Sequence, residues 1–427
     1  MARKRKLKKS VKKFFVLLIL IIIVIYFLFN KGNTKQENID YSIDYPIVKS
    51  DEKDKNVVNK MFANGMSLES FNNILETNVK KINSDSDYET IKYNFKKSLS
   101  YNEIEDYLNK LNNSEIVNLY KIGQSVDNRN IYGVEIGNGT KEIFLDANIH
   151  AAETANTPIL IQFMSEIVNM YENMNKNANK ALNEYKLVIM PCINPDGYEI
   201  FTKGIESISN KNLWVYKNKN KINFENLKSN ANGVDINRNF PTQNAGLYYK
   251  SKGLLYNVSL DKNTGSKAYF GGYDLGSEPE TKAAMLFMLK HYKNTIYYIN
   301  LHSQGRVIYS GKPNLSDEFN SISRKFASKI SKINNYTIFD IESEEVGEGN
   351  DGSATDFMAE IAHEMPFSSK TGRLSSNSYI NPDVTYVVKY PVITLETIKT
   401  YTKNPDIYKD EYYNFGLRET LFSLIGL

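Results

Sequence analysis

The stretch I-F-L-D-A-N-I-H-A-A-E, residues 143–153, decides the fold of this chain. Its apolar first half predicts a short buried strand, and its second half predicts a polar turn that carries His150 and Glu153. An imidazole and a carboxylate three positions apart reach the same side of a turn, which is a common way to place two ligands on one zinc ion. The H-x-x-E pattern alone is weak evidence, because this composition would produce it by chance in about one chain in four. Whether this H-x-x-E pattern marks a metal site therefore depends on the residues at the ends of the other strands.

Two later strand-like runs also end in polar residues. The run T-I-Y-Y-I-N-L (295–301) is followed by His302, and P-V-I-T-L-E (391–396) ends at Glu396. In open α/β sheets, sites form at the carboxyl ends of the strands. Two histidines and one glutamate leave the fourth position of a zinc ion to water, which is the arrangement of a catalytic site. We therefore expect one Zn²⁺ ion, with Glu396 able to take a proton from the water and pass it to a leaving amine. Cobalt or manganese would also suit this ligand set.

The order of helices and strands predicts an α/β fold. Apolar helical patterns at residues 157–170 and 277–292 are interleaved with the strand in residues 143–153 and with strand-like runs at 186–191 and 295–301. Strands that alternate with helices favour a three-layer α/β/α sandwich with a mixed, largely parallel central sheet.

The N-terminus combines a basic run with an apolar segment. Eight lysines and arginines lie within residues 1–13, and the sixteen residues 14–29 contain no charge, glycine or proline. Such a helix would be about 24 Å long, slightly short of a hydrocarbon core of about 30 Å, and the flanking lysines can snorkel to cover the difference. A cleaved secretory signal is the alternative, but residues 30–34 show no small-x-small cleavage site. We expect an uncleaved anchor that crosses the cell membrane once, with a cytoplasmic N-terminus and an extracellular remainder.

The composition divides the chain into four parts. Residues 1–13 are a cytoplasmic basic segment, and 14–29 are the transmembrane signal anchor that precedes the fold. Residues 30–95, rich in Asn, Asp, Lys and Ser, are expected to form a stalk or juxtamembrane module. Residues 96–427 are expected to form the catalytic domain, because the capping box S-Y-N-E (100–103) opens its first helix.

Charge and cysteine content narrow the possible partners. The net charge is +4, but the basic run accounts for it, so the rest of the chain is slightly acidic and no nucleic-acid surface is expected. Cys192 is the only cysteine, so no intramolecular disulfide can form. Its apolar neighbours predict a core position. An exported domain without disulfides fits a bacterial cell surface better than a eukaryotic secretory route.

Six short segments occur in an order that is far more specific than any one of them. They are H-A-A-E (150–153), N-P-D-G-Y-E (194–199), G-V-D-I-N-R-N-F-P (233–241), S-E-P-E-T (277–281), N-L-H-S-Q-G (300–305) and I-T-L-E-T (393–397). Together they make the chain similar to the carboxypeptidase A-like family of zinc metallopeptidases over roughly residues 100–427.

The resemblance implies roles for individual residues. His150, Glu153 and His302 match the family's zinc ligands, and Glu396 matches its general acid/base. It therefore implies a hydrolytic zinc site at the strand ends.

Asn237 and Arg238 lie where the family holds a substrate carboxylate. The planar fork of an arginine pairs with two carboxylate oxygens at once, which suits Arg238 to that role. A surface ion pair is the alternative for an isolated arginine. The position of Arg238 inside G-V-D-I-N-R-N-F-P favours substrate binding.

Two features of the family are missing from their usual positions. Residues 213–217 contain a tryptophan but not the family's oxyanion-stabilising arginine, and Lys217 or another donor would have to replace it. No tyrosine directly follows the segment G-S-A-T-D-F (352–357), where the family has a mobile one. Tyr379 and Tyr386 are possible replacements. These differences argue against a digestive-type carboxypeptidase.

The segments N-P-D-G-Y-E and H-S-Q-G-R-V-I-Y are most similar to bacterial enzymes that act on peptidoglycan stem peptides at the γ-D-glutamyl bond to diaminopimelate. Such a substrate presents free carboxylates, which suits Arg238. It also lies just outside the membrane, where the anchor would hold the domain. We therefore expect a membrane-anchored zinc peptidase whose substrate is a peptide or a peptidoglycan stem peptide.

Three other functions stay open. A metallocarboxypeptidase would release C-terminal residues from exported peptides or proteins. A catalytically inactive wall-binding protein would keep the fold without turnover, but a complete set of clustered polar groups is costly unless metal and substrate use it. A zinc-dependent deacylase on a related fold is disfavoured by the anchor and by G-V-D-I-N-R-N-F-P.

The remaining polar residues are assigned no role. Arg306 could read a second carboxylate, but a solvated surface arginine is the simpler interpretation. His291 on a predicted helix and His363 in a polar segment are expected to be structural or exposed. The acidic residues 342–351 predict a solvated loop.

Overall fold

The computed structural model describes a core that begins upstream of the predicted catalytic domain. The described residues are 75–84, 86–240, 242, 265–272, 275–292, 294–312, 317–339, 352–362, 367–368, 373–374 and 390–427. The predicted anchor, most of the predicted stalk, Tyr379, Tyr386, His363 and the acidic residues 342–351 lie outside them. Within the described ranges, no helix is long and apolar enough to span a bilayer.

Strands and helices alternate along the chain. The strands are β1 (Lys80–Lys81), β2 (Val117–Gln124), β3 (Asn130–Ile136), β4 (Lys141–Ala147), β5 (Tyr185–Met190), β6 (Thr295–Ser303), β7 (Val307–Tyr309), β8 (Thr337–Phe339), β9 (Phe367–Ser368), β10 (Arg373–Leu374) and β11 (Val392–Thr397). The α-helices are α1 (Tyr101–Leu111), α2 (Asn156–Glu172), α3 (Lys176–Glu184), α4 (Pro195–Lys203), α5 (Trp214–Lys217), α6 (Pro279–His291), α7 (Asp317–Asn334), α8 (Ala354–Ala362), α9 (Pro405–Asn414) and α10 (Leu417–Ser423). Short 3₁₀ helices lie at Ile205–Ser207, Lys219–Lys221, Phe224–Asn226 and Ile236–Arg238.

Nine of these strands form one mixed sheet in the order β1-β2-β3-β5-β4-β6-β11-β7-β8. The four central strands β5, β4, β6 and β11 are parallel, as are β7 and β8. The other pairings among the described strands of this sheet are antiparallel. The prediction of a mixed α/β sheet is confirmed, but parallel pairing dominates only its centre. The connection between β2 and β3, residues 125–129, is too short for the crossover that parallel strands need.

The central strand β4 is buried on both faces. Ile143 and Leu145 belong to one hydrophobic cluster, which includes helix α2, whereas Phe144 belongs to another, which includes helix α6. The ring of Phe144 lies 6.0 Å from that of Phe287 on α6, edge to face. Since helices cover both faces, the middle of the strand is a continuous apolar run, Ile143 to Leu145, rather than an alternation of apolar and polar residues. The sheet therefore lies between two helical layers.

Packing begins upstream of residue 96, the predicted start of the catalytic domain. Ile91, Tyr93 and Phe95 are buried in the same cluster as helix α2. Strand β1 pairs with β2 at the edge of the sheet. In I-K-Y-N-F (91–95), apolar and polar residues alternate over only five positions within a polar stretch. The sequence therefore gives little sign that this segment is buried.

The two predicted helix starts differ in the structure. At α1, Ser100 and Glu103 form the expected capping box. At α6, the residue before the helix is Glu278, and it makes no side-chain cap. Glu280 instead accepts hydrogen bonds from the backbone of Val126 at 3.1 Å and from Asn230 at 3.0 Å. The side chain of Glu280 therefore connects the start of α6 to the two segments that contain Val126 and Asn230.

The aspartate of N-P-D-G takes part in a buried ion network. Arg129 donates to Asp127 at 2.9 Å and to Asp196 at 2.6 Å, and both carboxylate side chains are at most 1% exposed. The guanidinium also donates to the carbonyl of Ser207. This arginine therefore joins the loop after β2 to the start of helix α4.

We predict that Arg129→Met lowers the free energy of unfolding by about 3–5 kcal/mol, because it leaves two buried carboxylates without their cation. The matched control is Lys141→Met, since Lys141 pairs with Glu184 at the surface and both side chains are over 40% exposed. That control should lose less than about 1 kcal/mol. Chemical denaturation measures both values, and equal losses would contradict the buried network.

Candidate metal centre and active site

Three neighbouring parallel strands bring the predicted site residues together. Strand β4 leads into the turn that carries His150 and Glu153, and β6 carries His302. Strand β11 carries Glu396, which pairs in register with His302 across β6 and β11. In neighbouring strands, paired residues project to the same face of the sheet. The structure therefore brings these polar groups to the carboxyl ends of the central strands.

The three predicted ligands form one buried cluster, with ligand atoms all within 4.8 Å of one another. Nδ1 of His150 lies 2.7 Å from one carboxylate oxygen of Glu153, and Nδ1 of His302 lies 2.8 Å from the other. Two imidazole nitrogens and a carboxylate oxygen are the donor set of a catalytic zinc site. The cluster could therefore hold a metal ion.

The two histidines differ in their electrostatics. Although burial disfavours the charged form of His150, Glu153 and Asp235 raise its pKa. Burial disfavours the charge of Glu153, but His150 and His302 hold its pKa well below the usual range, so it is a carboxylate. Burial lowers the pKa of His302, which favours the neutral imidazole that a metal binds.

Asp235 is a site residue that the sequence analysis missed. One of its carboxylate oxygens lies 3.3 Å from Nε2 of His150, on the side of the ring away from Glu153. The same carboxylate accepts the backbone N–H groups of Asn237 at 3.1 Å and Tyr269 at 3.0 Å. A carboxylate beside the outer nitrogen of a ligand histidine fixes its tautomer and its orientation. The sequence did contain evidence for Asp235, because this residue is the aspartate of the segment G-V-D-I-N-R-N-F-P (233–241).

The N-P-D-G motif supports the turn that carries the ligands. Asn194 accepts the N–H of Gly197 at 2.9 Å and donates to the carbonyl of Ile149 at 3.2 Å. A Cβ atom at position 197 would lie only 2.6 Å from the Cβ of Ala151. Glycine is therefore required here for close packing against the ligand turn.

A second segment holds the same turn from the other side. Ala151 donates its N–H to the carbonyl of Lys228 at 3.3 Å, and Ala152 donates to Leu227 at 2.8 Å. The side chain of Lys228 extends to the metal-ligand cluster, where Nζ lies 3.9 Å from Glu153. Although burial works against its charge, Glu153 and other carboxylates nearby raise the pKa of Lys228.

Tyr401 is a further polar group at the cluster that the sequence analysis missed. It follows β11, and its phenol interacts with both Glu153 and Glu396. Burial raises the pKa of Tyr401, so the phenol keeps its proton. Its backbone N–H donates to Gln304 at 3.1 Å, which ties the segment after β11 to the segment after β6.

The profile of the family described as zinc carboxypeptidase matches residues 104–387, well over half of the 427 residues. The chain belongs to the zinc carboxypeptidase family. Zinc is the metal named for this family, and His150, Glu153 and His302 are the group that could hold it.

Two curated relatives differ in activity. The γ-D-glutamyl-L-diamino acid endopeptidase 1 of Lysinibacillus sphaericus is 31% identical over 223 residues, which are 50% of this chain and 52% of that protein. The carboxypeptidase N catalytic chain of Homo sapiens is 28% identical over 213 residues, which are 47% of this chain and 41% of that protein. The chain thus spans about half the length, or less, of these relatives.

Among solved structures, the carboxypeptidase A from Helicoverpa armigera shares the fold. Its TM-score is 0.50 at 18% sequence identity, and the match covers 80% of this chain and 77% of that one.

Asn237 and Arg238 directly follow Asp235, the residue that lies against the predicted ligand His150. They form the 3₁₀ turn directly after Asp235, and both are buried. The amide oxygen of Asn237 accepts the N–H of Ala354 at 3.0 Å, which joins the turn to helix α8. The guanidinium carbon of Arg238 lies 5.6 Å from the centre of the Tyr269 ring.

Lys217, the substitute considered for the missing arginine, lies at the end of helix α5. None of the contacts that the structure describes for the metal-ligand cluster involves Lys217.

Arg306 differs from the surface residue that was expected. It donates to Glu411 from Nε at 3.0 Å and from Nη2 at 2.7 Å, and its guanidinium lies over the ring of Phe415. The side chain of Glu411 is fully buried, which explains why it requires a cation. His291 is buried as well, 2.9 Å from Glu142, in agreement with a structural role.

We predict that Asp235→Asn weakens zinc affinity about 10–100-fold, because His150 loses the carboxylate that orients it. Asp106→Asn is the matched control, since Asp106 lies exposed on helix α1. Competition with a chromogenic chelator measures both affinities. An unchanged affinity in Asp235→Asn would show that the carboxylate does not support the ligand.

Proposed function

We propose that this protein is a membrane-anchored zinc peptidase that hydrolyses peptidoglycan stem peptides at the bond between γ-D-glutamate and diaminopimelate. The observation that carries the catalytic part is the register of two strands, in which Glu396 lies beside His302 next to a buried cluster of zinc-ligand type. The similarity to a γ-D-glutamyl-L-diamino acid endopeptidase supports the substrate.

In the proposed reaction, His150, Glu153 and His302 would hold the metal. Zinc in such a site lowers the pKa of water and polarises a carbonyl oxygen. Glu396 takes the proton as the oxygen of water bonds to the scissile carbonyl carbon. It then gives that proton to the departing amine nitrogen as the peptide bond breaks. The products are a carboxylate and a free amine.

Asn237 and Arg238 are proposed to hold a carboxylate of the diaminopimelate residue. Their turn is rigid, because Asp235 accepts the N–H of Asn237 and Asn237 accepts the N–H of Ala354. A guanidinium held in this way orients a planar carboxylate and positions the neighbouring peptide bond.

The proposed location matches the substrate. Residues 14–29 would anchor the chain in the cell membrane, and the basic residues before them would keep the N-terminus in the cytoplasm. The catalytic domain would then face the cell wall, where stem peptides lie.

A metallocarboxypeptidase is the second candidate, and the similarity to the human carboxypeptidase N catalytic chain favours it. It would use the same metal, Glu396 and Arg238, but would release single C-terminal residues. The products distinguish the two reactions.

We expect the full chain in detergent, loaded with zinc, to release a diaminopimelate-containing fragment from purified muropeptides, as read by mass spectrometry. Chelation should abolish the release, and Glu396→Gln should lower kcat about 10²–10⁴-fold because the proton carrier is lost. Glu225→Gln, at an exposed position, is the matched control.

Single residues released from ordinary peptides would instead establish the carboxypeptidase. If neither the zinc-loaded wild type nor Glu396→Gln cleaves muropeptides or ordinary peptides, the protein is not a hydrolase of this kind. A wall-binding role would then replace the proposed hydrolysis.

Arg238→Lys should lower kcat/KM about 10²-fold for a stem peptide with a free carboxylate, because an ammonium cannot pair with both oxygens. A substrate amidated at that carboxylate should be cleaved equally by the variant and the wild type. An equal loss on both substrates would show that Arg238 supports the fold of the turn rather than the substrate.

A further inference from the structure

The metal centre contains a cation for which the sequence analysis had no role. Lys228 places Nζ 3.9 Å from a carboxylate oxygen of Glu153, and its side chain is 24% exposed. Its charge also interacts with Asp235 and Glu396. We propose that Lys228 stabilises the negative charge that develops on the scissile carbonyl oxygen, in place of the arginine missing near Trp214. The inference rests on the proposed peptide hydrolysis.

The backbone holds Lys228 in a defined place relative to the metal ligands. Its carbonyl accepts the N–H of Ala151, the residue after His150, at 3.3 Å, and its own N–H donates to Lys267 at 2.8 Å. The residue is thus connected to the ligand turn by hydrogen bonds. Charge stabilisation in a transition state is effective when the donor is already in position and need not reorganise.

Within the described residues, the ammonium of Lys228 has a long ion pair with Glu153 but no hydrogen bond to it. A separation of 3.9 Å from Glu153 is longer than a hydrogen bond. The oxygens of Glu153 already lie against His150, His302 and the N–H of Ser303. In the part of the chain that the structure describes, Nζ of Lys228 has no hydrogen-bond acceptor. In the proposed role, these N–H groups donate to a substrate oxygen that enters the site.

Lys228 and Arg238 flank one aromatic ring. Nζ of Lys228 lies 5.9 Å from the centre of the Tyr269 ring, and the guanidinium carbon of Arg238 lies 5.6 Å from it. Tyr269 is itself held by the hydrogen bond from its N–H to Asp235. Two cations beside one ring suit a substrate with two separate negative charges. In the proposed reaction these are the developing oxyanion at Lys228 and the carboxylate at Arg238.

The oxyanion role predicts an effect on the transition state rather than on the substrate complex. Lys228→Met should lower kcat about 10²–10³-fold with little change in KM. A phosphinate analogue of the γ-D-glutamyl-diaminopimelate bond carries the tetrahedral anion, and calorimetry should show its affinity falling by a similar factor. The affinity for the product amine should be unchanged. Lys228→Arg should restore part of both losses, because it restores the charge.

A purely structural role for Lys228 gives different results. If Lys228 were purely structural, Lys228→Met would change the zinc affinity, measured by chelator competition. Alternatively, the variant would weaken the binding of the phosphinate and of the product amine by the same factor. Either result overturns the inference, as does an unchanged phosphinate affinity. Lys217→Met is the matched control and should leave all of these quantities at the wild-type values.

Phosphinate binding separates this inference from the proposed function. If the zinc-loaded wild type cleaves no peptide but its phosphinate affinity depends on Lys228, the charge-stabilising role stands and the proposed function fails. If it cleaves peptides while phosphinate affinity and kcat are independent of Lys228, the proposed function stands and this inference fails.

Discussion

The burial of one carboxylate between two imidazoles is the constraint on which the rest of this structure depends. Glu153 has almost no access to solvent, and an isolated charge at such a position would be strongly destabilising. His150, His302 and the N–H of Ser303 satisfy its oxygens. Glu153 and His302 lie 149 positions apart in the chain, so the turn after β4 and the end of β6 must be held in register. The central parallel strands provide that register.

The set of short segments has a physical basis in this constraint. The N-P-D-G segment packs against the ligand turn through Asn194 and Gly197, while Asp196 joins it to Arg129. On the other side, Leu227 and Lys228 accept the N–H groups of the turn. The ligand turn is thus held by hydrogen bonds from two segments that supply none of the three predicted metal ligands. Such support is what allows ligand atoms to stay in place when a substrate enters.

The distribution of charge at the site is a second consequence. Glu153, Asp235 and Glu396 place three carboxylates close together, and Lys228 and Arg238 lie among or beside them. A low-dielectric site strengthens all of these interactions, favourable and unfavourable alike. Cations that balance the charge of these carboxylates can also bind the negatively charged groups of a substrate. The same groups therefore serve both the stability of the folded site and the chemistry proposed for it.

The sequence by itself determined the local features of this protein. The apolar runs predicted the central strands, and the polar residues at their ends predicted His150, Glu153, His302 and Glu396, because strand ends and H-x-x-E spacing are local patterns. Only the tertiary structure placed Asp235, Lys228 and Tyr401 at the metal-ligand cluster, and it showed that the packed core begins upstream of residue 96. A lysine in a polar loop has the same local sequence whether it faces water or a metal centre. Its surroundings depend on distances between remote segments, which are set by the register of the sheet and the packing of its turns.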